Sequence, residues 1–306
     1  MKILVAGGSG FIGSYVADAL TCQGHKVLIY DRQASKYISK EQKMIKGDIL
    51  NQESVESAVK GCEVVYNFAG IADMNEARMN PLETIRTNVL GNTILLEAAR
   101  KARVKRYIFA STLYVYSEAG SFYRSSKQSC ELVIENYNRV YGLDYTILRY
   151  GSLYGPRANK SNWIYNILEQ ALANGKITRY GDGEEIREYV WVEDAAKLSV
   201  EVLSDEFKNK CVLITGNASV KIKDLLVMIK EIMNNKIKVE YLPVANGRGG
   251  SFEPELHYEI TPYSFNPKLG IRLTGRTAVD MGQGIIYLLN EIHKRKAISG
   301  KTKTGR

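Results

Sequence analysis

The fold is decided by Ile3-Leu4-Val5-Ala6 followed directly by Gly7-Gly8-Ser9-Gly10-Phe11-Ile12-Gly13. The apolar run predicts a buried strand, and Phe11 to Leu20 predict a helix that begins at the glycines. Gly7 permits a tight turn off the strand, Gly10 leaves room for a pyrophosphate, and Gly13 lets the helix approach the sheet. The free amides at the start of that helix attract phosphate. This stretch therefore predicts a loop that binds a dinucleotide.

A second predicted strand, residues 26–30, leads to Asp31, which lies 18 residues after Gly13. A carboxylate at that position suits the two hydroxyls of an adenosine ribose and repels a 2′-phosphate. Asp31 therefore favours NAD as the cofactor. Arg32 leaves NADP open as the alternative, because a guanidinium beside the ribose can accept the phosphate.

The first two thirds of the chain alternate apolar strands with amphipathic helices. This alternation predicts an α/β fold, a Rossmann-type doubly wound parallel sheet with a smaller, loop-rich α/β substrate domain. The predicted strands are 2–6, 26–31, 43–47, 63–68, 105–111, 144–149 and 210–215, and the predicted helices are 11–23, 51–60, 80–102, 124–141, 160–174 and 219–234.

The character of the sequence changes after Arg149, where turn-forming residues become frequent. We predict a dinucleotide-binding domain formed by residues 1–152 and about 189–216. A substrate domain takes residues from about 153 to 188 and from 217 to 293. The chain ends in a basic segment, 294–306, that we expect to be a flexible tail.

The net charge of +9 is concentrated at one end, because six lysines and arginines lie in the last thirteen residues. The rest of the chain is close to neutral and has no basic surface interleaved with aromatic residues, so we do not expect nucleic-acid binding. Four scattered cysteines predict reduced thiols in a cytoplasmic protein and no metal site. No leader peptide and no membrane span is predicted.

Tyr123-Arg124-Ser125-Ser126-Lys127 places a tyrosine and a lysine on one face of a predicted helix. The lysine cation favours the phenolate, which can take the proton of a sugar hydroxyl while hydride passes to a nicotinamide. Lys127 can also hold the nicotinamide ribose. Thr112, at the end of a predicted strand, can donate a hydrogen bond to the same substrate oxygen, and Ser111 is the alternative residue for this role.

A series of motifs follows the same order in this chain as in a known family. Together they resemble the extended short-chain dehydrogenase/reductase family, in the branch of NAD-dependent nucleotide-sugar epimerases and dehydratases. The matching segments are Gly7 to Gly13, Asp31, Gly47 to Ile49, Asn67 to Gly70, Asn88 to Asn92, Ser111 to Tyr116, Tyr123 with Lys127, Leu153 to Arg157 and Arg187 to Asp194.

The resemblance implies a catalytic set of Thr112, Tyr123 and Lys127. It also implies that Arg187 contacts the diphosphate of a nucleotide sugar and that Ser152 stands at a substrate-contacting position. We add Ser111 to this substrate set, and Arg248 of the glycine-rich late loop as a second diphosphate contact. With the motifs above, the implied cofactor set is Gly7, Gly10, Phe11, Ile12, Gly13, Asp31, Arg32, Asp48, Ile49, Phe68, Ala69, Gly70, Asn88, Lys127 and Tyr150.

Several positions depart from the family pattern. Leu113-Tyr114 stands where the dehydratases carry Asp-Glu, which disfavours 4,6-dehydration. Ser152 replaces a common asparagine, and Trp191 replaces a common histidine. Thr112 and Tyr123 are only 11 residues apart, a shorter interval than in most nucleotide-sugar epimerases.

The sequence therefore predicts an NAD-dependent epimerase of a nucleoside-diphosphate sugar that works through a transient keto-sugar, in carbohydrate metabolism such as polysaccharide biosynthesis. The resemblance also implies a homodimer formed through a four-helix bundle by the helices near 80–102 and 124–141. One alternative is a net dehydrogenase or reductase acting on a nucleotide sugar. Another is an NAD-sensing protein without turnover.

Overall fold

The computed structural model describes residues 1–217, 219–243, 271–273 and 279–301. Its centre is an eight-stranded sheet with the order β13-β10-β6-β5-β4-β1-β2-β3. Every neighbouring pair in this sheet is parallel. These strands are β1 (Lys2–Ala6), β2 (Lys26–Asp31), β3 (Lys43–Lys46), β4 (Val64–Asn67), β5 (Arg106–Thr112), β6 (Tyr145–Tyr150), β10 (Lys210–Ile214) and β13 (Ile271–Leu273).

Both faces of this sheet are covered, which explains why its strands are apolar along their whole length. One buried cluster joins the sheet to α1 and α8, and a second joins it to α2, α5 and α6. The predicted α/β fold is thus confirmed. The helices of this part are α1 (Phe11–Cys22), α2 (Gln52–Val59), α3 (Met74–Met79), α4 (Pro81–Thr84), α5 (Gly91–Lys101), α6 (Ser121–Tyr141) and α8 (Val192–Glu201).

The smaller part of the molecule has a hydrophobic core of its own. This core includes Tyr154, Leu168, Trp191, Leu226 and Leu288, all of which are buried. Its small sheets have the orders β11-β9-β7 and β12-β8. The elements are β7 (Ser152–Tyr154), α7 (Trp163–Asn174), β8 (Lys176–Tyr180), β9 (Ile186–Trp191), β11 (Ser219–Lys221), α9 (Ile222–Ile232), β12 (Lys238–Leu242) and α10 (Met281–Lys301).

Several elements differ from the sequence predictions. The helix predicted over 80–102 is interrupted by a π-helical segment, Ile85–Leu90, between α4 and α5. The helix predicted over 219–234 starts with strand β11, because Ser219–Lys221 pair with β9. The sequence did not predict α3, α8 or α10, and α10 continues to Lys301, through part of the segment assigned to a flexible tail.

Cysteine pairing, metal-ligand groups and membrane-spanning helices can be examined among the described residues. All four cysteines are free thiols, and three of them are buried. In the described ranges, no group of His, Cys, Asp and Glu side chains has the arrangement of a metal site. No helix in that part of the chain combines the length and apolarity needed to cross a membrane.

Candidate active site

The glycine loop lies at the carboxyl end of β1. Gly7 has a φ of +75°, and a Cβ there would lie 2.5 Å from the backbone of Phe68 and Ala69. A Cβ on Gly13 would lie 2.2 Å from the Gly7 carbonyl oxygen, so a side chain would push α1 away from the loop. Gly10 precedes the first turn of α1 and lines the cleft, and no side chain caps the free amides of that turn. The predicted backbone requirements at Gly7 and Gly13 are confirmed.

Asp31 ends β2 beside this loop. Its Oδ2 accepts a hydrogen bond from the Ser9 amide at 3.0 Å, and its Oδ1 accepts one from the Gln33 amide at 2.9 Å. These two bonds fix the carboxylate at the edge of the cleft. Arg32 is exposed at the same edge, so both residues that bear on the choice between NAD and NADP line the cleft.

The cleft runs along the carboxyl ends of β1, β2 and β4. This is the edge at which parallel α/β sheets bind their ligands. Glu83 and Thr87 also line it, although sequence reasoning did not select them; both lie on the same helical stretch as Asn88. The predicted residues that line the cleft are Gly7, Gly10, Asp31, Arg32, Asp48, Ile49, Phe68, Ala69 and Gly70.

Asp48 and Ile49 follow β3 at the same edge. The Asp48 carboxylate accepts a hydrogen bond from the Leu50 amide at 2.9 Å, and the Asp48 carbonyl oxygen accepts one from the Tyr30 hydroxyl at 2.8 Å. Ile49 is buried. This turn therefore offers an apolar surface and an exposed carboxylate next to each other.

The residues predicted to be catalytic lie on β5 and α6, which meet beside a short 3₁₀ helix (Leu113–Tyr116) at the same edge of the sheet; this region is called the predicted catalytic end below. Thr112 ends β5, and its Oγ1 accepts a hydrogen bond from the Tyr114 amide at 3.3 Å. This bond leaves the Thr112 hydroxyl proton free to point elsewhere. The Tyr114 and Tyr123 rings are in edge-to-face contact, with centroids 6.4 Å apart.

Lys127 is one turn after Tyr123 on α6. Its Nζ donates to the Ala110 carbonyl oxygen at 2.7 Å and lies 5.8 Å from the centre of the Tyr123 ring. Lys127 is buried, and this burial lowers the pKa of its ammonium below the usual lysine value. The negative charge of Glu131 acts in the opposite direction. The structure thus brings the Tyr123 ring and a buried cation together, as the spacing predicts.

Asn88 was predicted as a cofactor residue, but its side-chain amide is used inside the protein. Its Oδ1 accepts from the Ile71 amide at 2.7 Å, and its Nδ2 donates to the Ile71 carbonyl oxygen and to Ser126 Oγ. Asn88 lies in the π-helical segment, and such segments are frequent at functional sites. It connects the loop after β4 to the residue before Lys127.

Two further predicted side chains also point into the interior. The Tyr150 hydroxyl pairs with Ser199 Oγ of α8 at 2.6 Å, so the phenol is part of the core rather than a cofactor contact. The Ser111 hydroxyl donates to Glu131 Oε1 at 2.5 Å, on the sheet face covered by α6. The Ser111 hydroxyl is therefore already engaged inside the protein, and its assignment to the substrate stays a prediction.

The predicted substrate residues come from the smaller part of the chain. Ser152 is half-buried at the start of β7 and is paired with Tyr189 of β9. Arg187, also on β9, is buried, and its Nη1 donates to the Ile186 carbonyl oxygen at 3.0 Å. Arg248 lies outside the described residues.

These features fit a bound dinucleotide. The glycine loop leaves no room for side chains where it meets α1, and a carboxylate ends β2 beside it. The buried Lys127 is bonded to Ala110 near the carboxyl end of β5, in the same sheet. A turn of this kind after the first strand, with an acid at the end of the second, is the arrangement of dinucleotide-binding α/β proteins.

Comparisons with known proteins define the class. The sequence model of the NAD dependent epimerase/dehydratase family matches residues 3–214. The chain therefore belongs to this family, within the extended short-chain dehydrogenases/reductases, and its cofactor is NAD.

Individual relatives carry different activities. The chain is 32% identical over 249 residues to a putative UDP-glucose 4-epimerase of Methanocaldococcus jannaschii, covering 74% of this chain and 81% of that protein. It is 29% identical over 268 residues to a UDP-N-acetyl-alpha-D-glucosaminuronate decarboxylase of Bacillus cytotoxicus, covering 79% and 83%. The structure of UDP-glucose 4-epimerase with UDP-glucose from Thermotoga maritima superimposes with a TM-score of 0.82 at 26% identity, covering 97% of this chain and all of that one.

Proposed function

We propose that this protein interconverts C4 epimers of a nucleoside-diphosphate sugar and uses NAD without net consumption. The observation that carries the proposal is the predicted catalytic end. There a buried ammonium lies 5.8 Å from the centre of the Tyr123 ring and is fixed to β5 by the Ala110 carbonyl oxygen.

The chain's own residues supply the proton chemistry. Lys127 favours the phenolate of Tyr123, which takes the proton of the sugar hydroxyl. Thr112 donates a hydrogen bond to the same oxygen and orients it. NAD, when bound, would supply a reversible hydride acceptor for the sugar carbon. When hydride is added to the other face of the keto-sugar, Tyr123 gives its proton to the keto oxygen, which restores the alcohol in inverted configuration.

We assign the binding roles by position in the cleft. The amides at the start of α1 hold the pyrophosphate of NAD, Asp31 holds the adenosine ribose, and the Asp48–Ile49 turn faces the adenine. Lys127 also holds the nicotinamide ribose. Arg187 is proposed to bind the diphosphate of the sugar nucleotide, because its planar fork suits two phosphate oxygens.

The residues after Thr112 favour epimerisation over loss of water. Elimination of a sugar hydroxyl needs a proton donor, and the position after Thr112 is taken by Leu113, which is buried in the core. The next residue is Tyr114, whose ring packs against Tyr123. Neither side chain carries a carboxyl group, so the acid found in the dehydratases is missing at these two positions.

Decarboxylation is the second candidate, because the Bacillus cytotoxicus relative is a decarboxylase. Oxidation at C4 of a sugar with a carboxylate on C5 gives a β-keto acid. This acid loses CO₂ when the bond between C5 and the carboxylate carbon breaks and its electron pair moves toward the keto oxygen at C4. Thr112 and Tyr123 could polarise that oxygen without further acids, so the carboxylate of the substrate would decide between the two outcomes.

The deciding experiment incubates the protein and NAD with UDP-glucose, UDP-N-acetylglucosamine and UDP-glucuronic acid, and follows each sugar by NMR. A C4 epimer formed at constant NADH supports the proposal. Release of CO₂ from the uronic acid supports the decarboxylase. NADH formed in proportion to product indicates a net dehydrogenase, and NAD binding without turnover of any sugar favours a sensor.

We also propose a homodimer built from α6 and the helical stretch 74–90. Large apolar side chains are exposed on these helices, including Met79 (74%), Leu82 (86%) and Leu132 (62%). Such exposure is typical of surfaces that a partner covers. Light scattering of Leu82→Asp and Leu132→Asp variants tests the proposal: both should shift a dimer toward monomer, and an unshifted mass would contradict this interface.

A further inference from the structure

A buried polar network lies behind the predicted catalytic end. Glu131 accepts hydrogen bonds from Ser111 Oγ at 2.5 Å, from Arg149 Nε at 3.0 Å and from Arg149 Nη2 at 2.5 Å. Arg149 also donates to the Tyr116 hydroxyl. All four residues are less than a tenth exposed. None of these side chains has a role in the proposed chemistry.

Each member of the network adjoins a part of the catalytic set. Glu131 follows Lys127 by one turn on α6, and Ser111 directly precedes Thr112 on β5. Tyr116 closes the 3₁₀ helix that Thr112 begins. Arg149, on β6, pairs in register with Ser111. The network therefore joins β5 and α6, the two elements that carry Thr112, Tyr123 and Lys127, to β6 and the 3₁₀ helix.

Apolar side chains of the same volume would stabilise the folded protein as much as the buried Glu131–Arg149 pair, because both charges lose their hydration on burial. The ion pair contributes a defined geometry instead. The guanidinium fork and the carboxylate meet in one bidentate arrangement, which fixes the distance and the angle between α6 and β6. The hydrogen bonds to Glu131 also keep the pKa of Arg149 above its usual value although burial acts against it.

We propose that Glu131 and Arg149 are positioning residues that hold α6 against β5 and β6. They fix the position of α6 along β5, and with it the positions of Lys127 and Tyr123 relative to Thr112. The inference rests on the proposed function, because it assigns a role in that reaction. Lys127 is tied to β5 at Ala110 and Glu131 at Ser111, so two successive turns of α6 are bound to adjacent residues of the strand.

The test compares Glu131→Gln and Arg149→Lys with Tyr107→Phe in the full-length protein with NAD. Glutamine keeps the shape of Glu131 but loses its charge, and lysine keeps the charge of Arg149 but loses the fork. Tyr107, on the same strand as Ser111, is the matched control, because its buried hydroxyl donates to Asn92 of α5 and not to a residue of α6. Unfolding curves correct every rate to the folded fraction.

We expect kcat per folded molecule to fall about 100-fold in Glu131→Gln, the cost of a displacement near 1 Å at reacting groups. The fall in Arg149→Lys should be smaller. The KM for the sugar nucleotide should not change in either variant. Tyr107→Phe should lose stability and keep its kcat. A Glu131→Gln variant that keeps the wild-type kcat would overturn the inference.

Hydrogen exchange of the NAD-bound protein gives a readout that is independent of turnover. In Glu131→Gln the amides of residues 111–117 and 123–131 should exchange faster, while those of β1 and α1 should not change. Unchanged exchange in the first two segments would overturn the inference even if the wild type converted no sugar, an outcome that by itself would refute only the proposed function.

Discussion

The two ends of the cleft are held in place differently. At the proposed adenosine end, Asp31 ends β2 and Asp48 follows the neighbouring strand β3, and both carboxylates are fixed by amides of nearby loops. At the proposed catalytic end, Asn88 is bonded to Ser126 and Arg149 to Glu131, so α6 is held by elements far apart in the chain. The proposed adenosine end therefore depends on short loops, and the proposed catalytic end depends on packing between distant elements. We expect substitutions at the adenosine end to weaken cofactor binding and those at the catalytic end to slow turnover.

The largest effect is expected for Tyr123→Phe. Loss of the phenol removes the general base and acid, so turnover should fall about 1000-fold while NAD binding is unchanged. Tyr137→Phe, on the same helix but bonded to Glu97, is the matched control. NMR of sugar conversion and an NAD titration make the comparison. A Tyr123→Phe variant within tenfold of the wild type would contradict the assignment.

The second largest effect is expected for Gly7→Ala, which changes the glycine loop at the proposed cofactor-binding end of the cleft. Gly7 and Gly24 both have positive φ angles, but only at Gly7 would an added Cβ lie within 4 Å of other backbone atoms. Gly24→Ala should therefore cost about 1 kcal/mol from backbone strain alone. Gly7→Ala should cost at least about 3 kcal/mol and abolish NAD binding. Urea unfolding and an NAD titration check both values, and equal losses would show that the loop is not tightly packed.

Asp31→Asn should produce a smaller change that is confined to the cofactor. Without the carboxylate, NAD binding should weaken about tenfold, and the preference over NADP should decrease because the repulsion of the 2′-phosphate is gone. Asp48→Asn, at the adjacent strand end, should keep the preference for NAD. Calorimetric titrations with both cofactors give the ratio. A ratio that changes equally in the two variants would argue against a ribose contact by Asp31.

The smallest effect is expected in the pH dependence of turnover, whose decline at alkaline pH should begin at a lower pH than the pKa of a free lysine. Burial lowers the pKa of Lys127, so its ammonium loses the proton at a lower pH than an ordinary lysine, whose pKa is about 10.4. As the pH is raised, turnover should therefore begin to decline before a pH of about 10.4 is reached, because the phenolate loses its stabilising cation. Rates measured from neutral pH upward test this. A constant rate up to the pKa of a free lysine would contradict a charged role for Lys127.

The same contrast explains what could be predicted from the sequence. The glycine loop, Asp31 and the Tyr123–Lys127 spacing depend on local geometry. The structure places the loop and Asp31 in one cleft, and it ties Lys127 to Ala110 near the carboxyl end of the same sheet. The π-helical segment around Asn88 could not be predicted, because one wider turn leaves the apolar periodicity of a helix almost unchanged. The buried network did leave a signal: Arg149 is a charged residue within an apolar strand, and Glu131 follows Lys127 by four residues.

In the proposed reaction, the hydrogen on C4 of the sugar leaves as hydride and returns to the other face of the same carbon. UDP-hexoses that carry deuterium at C4 give the sharpest test of this step. The C4 epimer should keep the deuterium at C4, since hydride held by the cofactor does not exchange with water. Loss of the deuterium to solvent would rule out the proposed reaction.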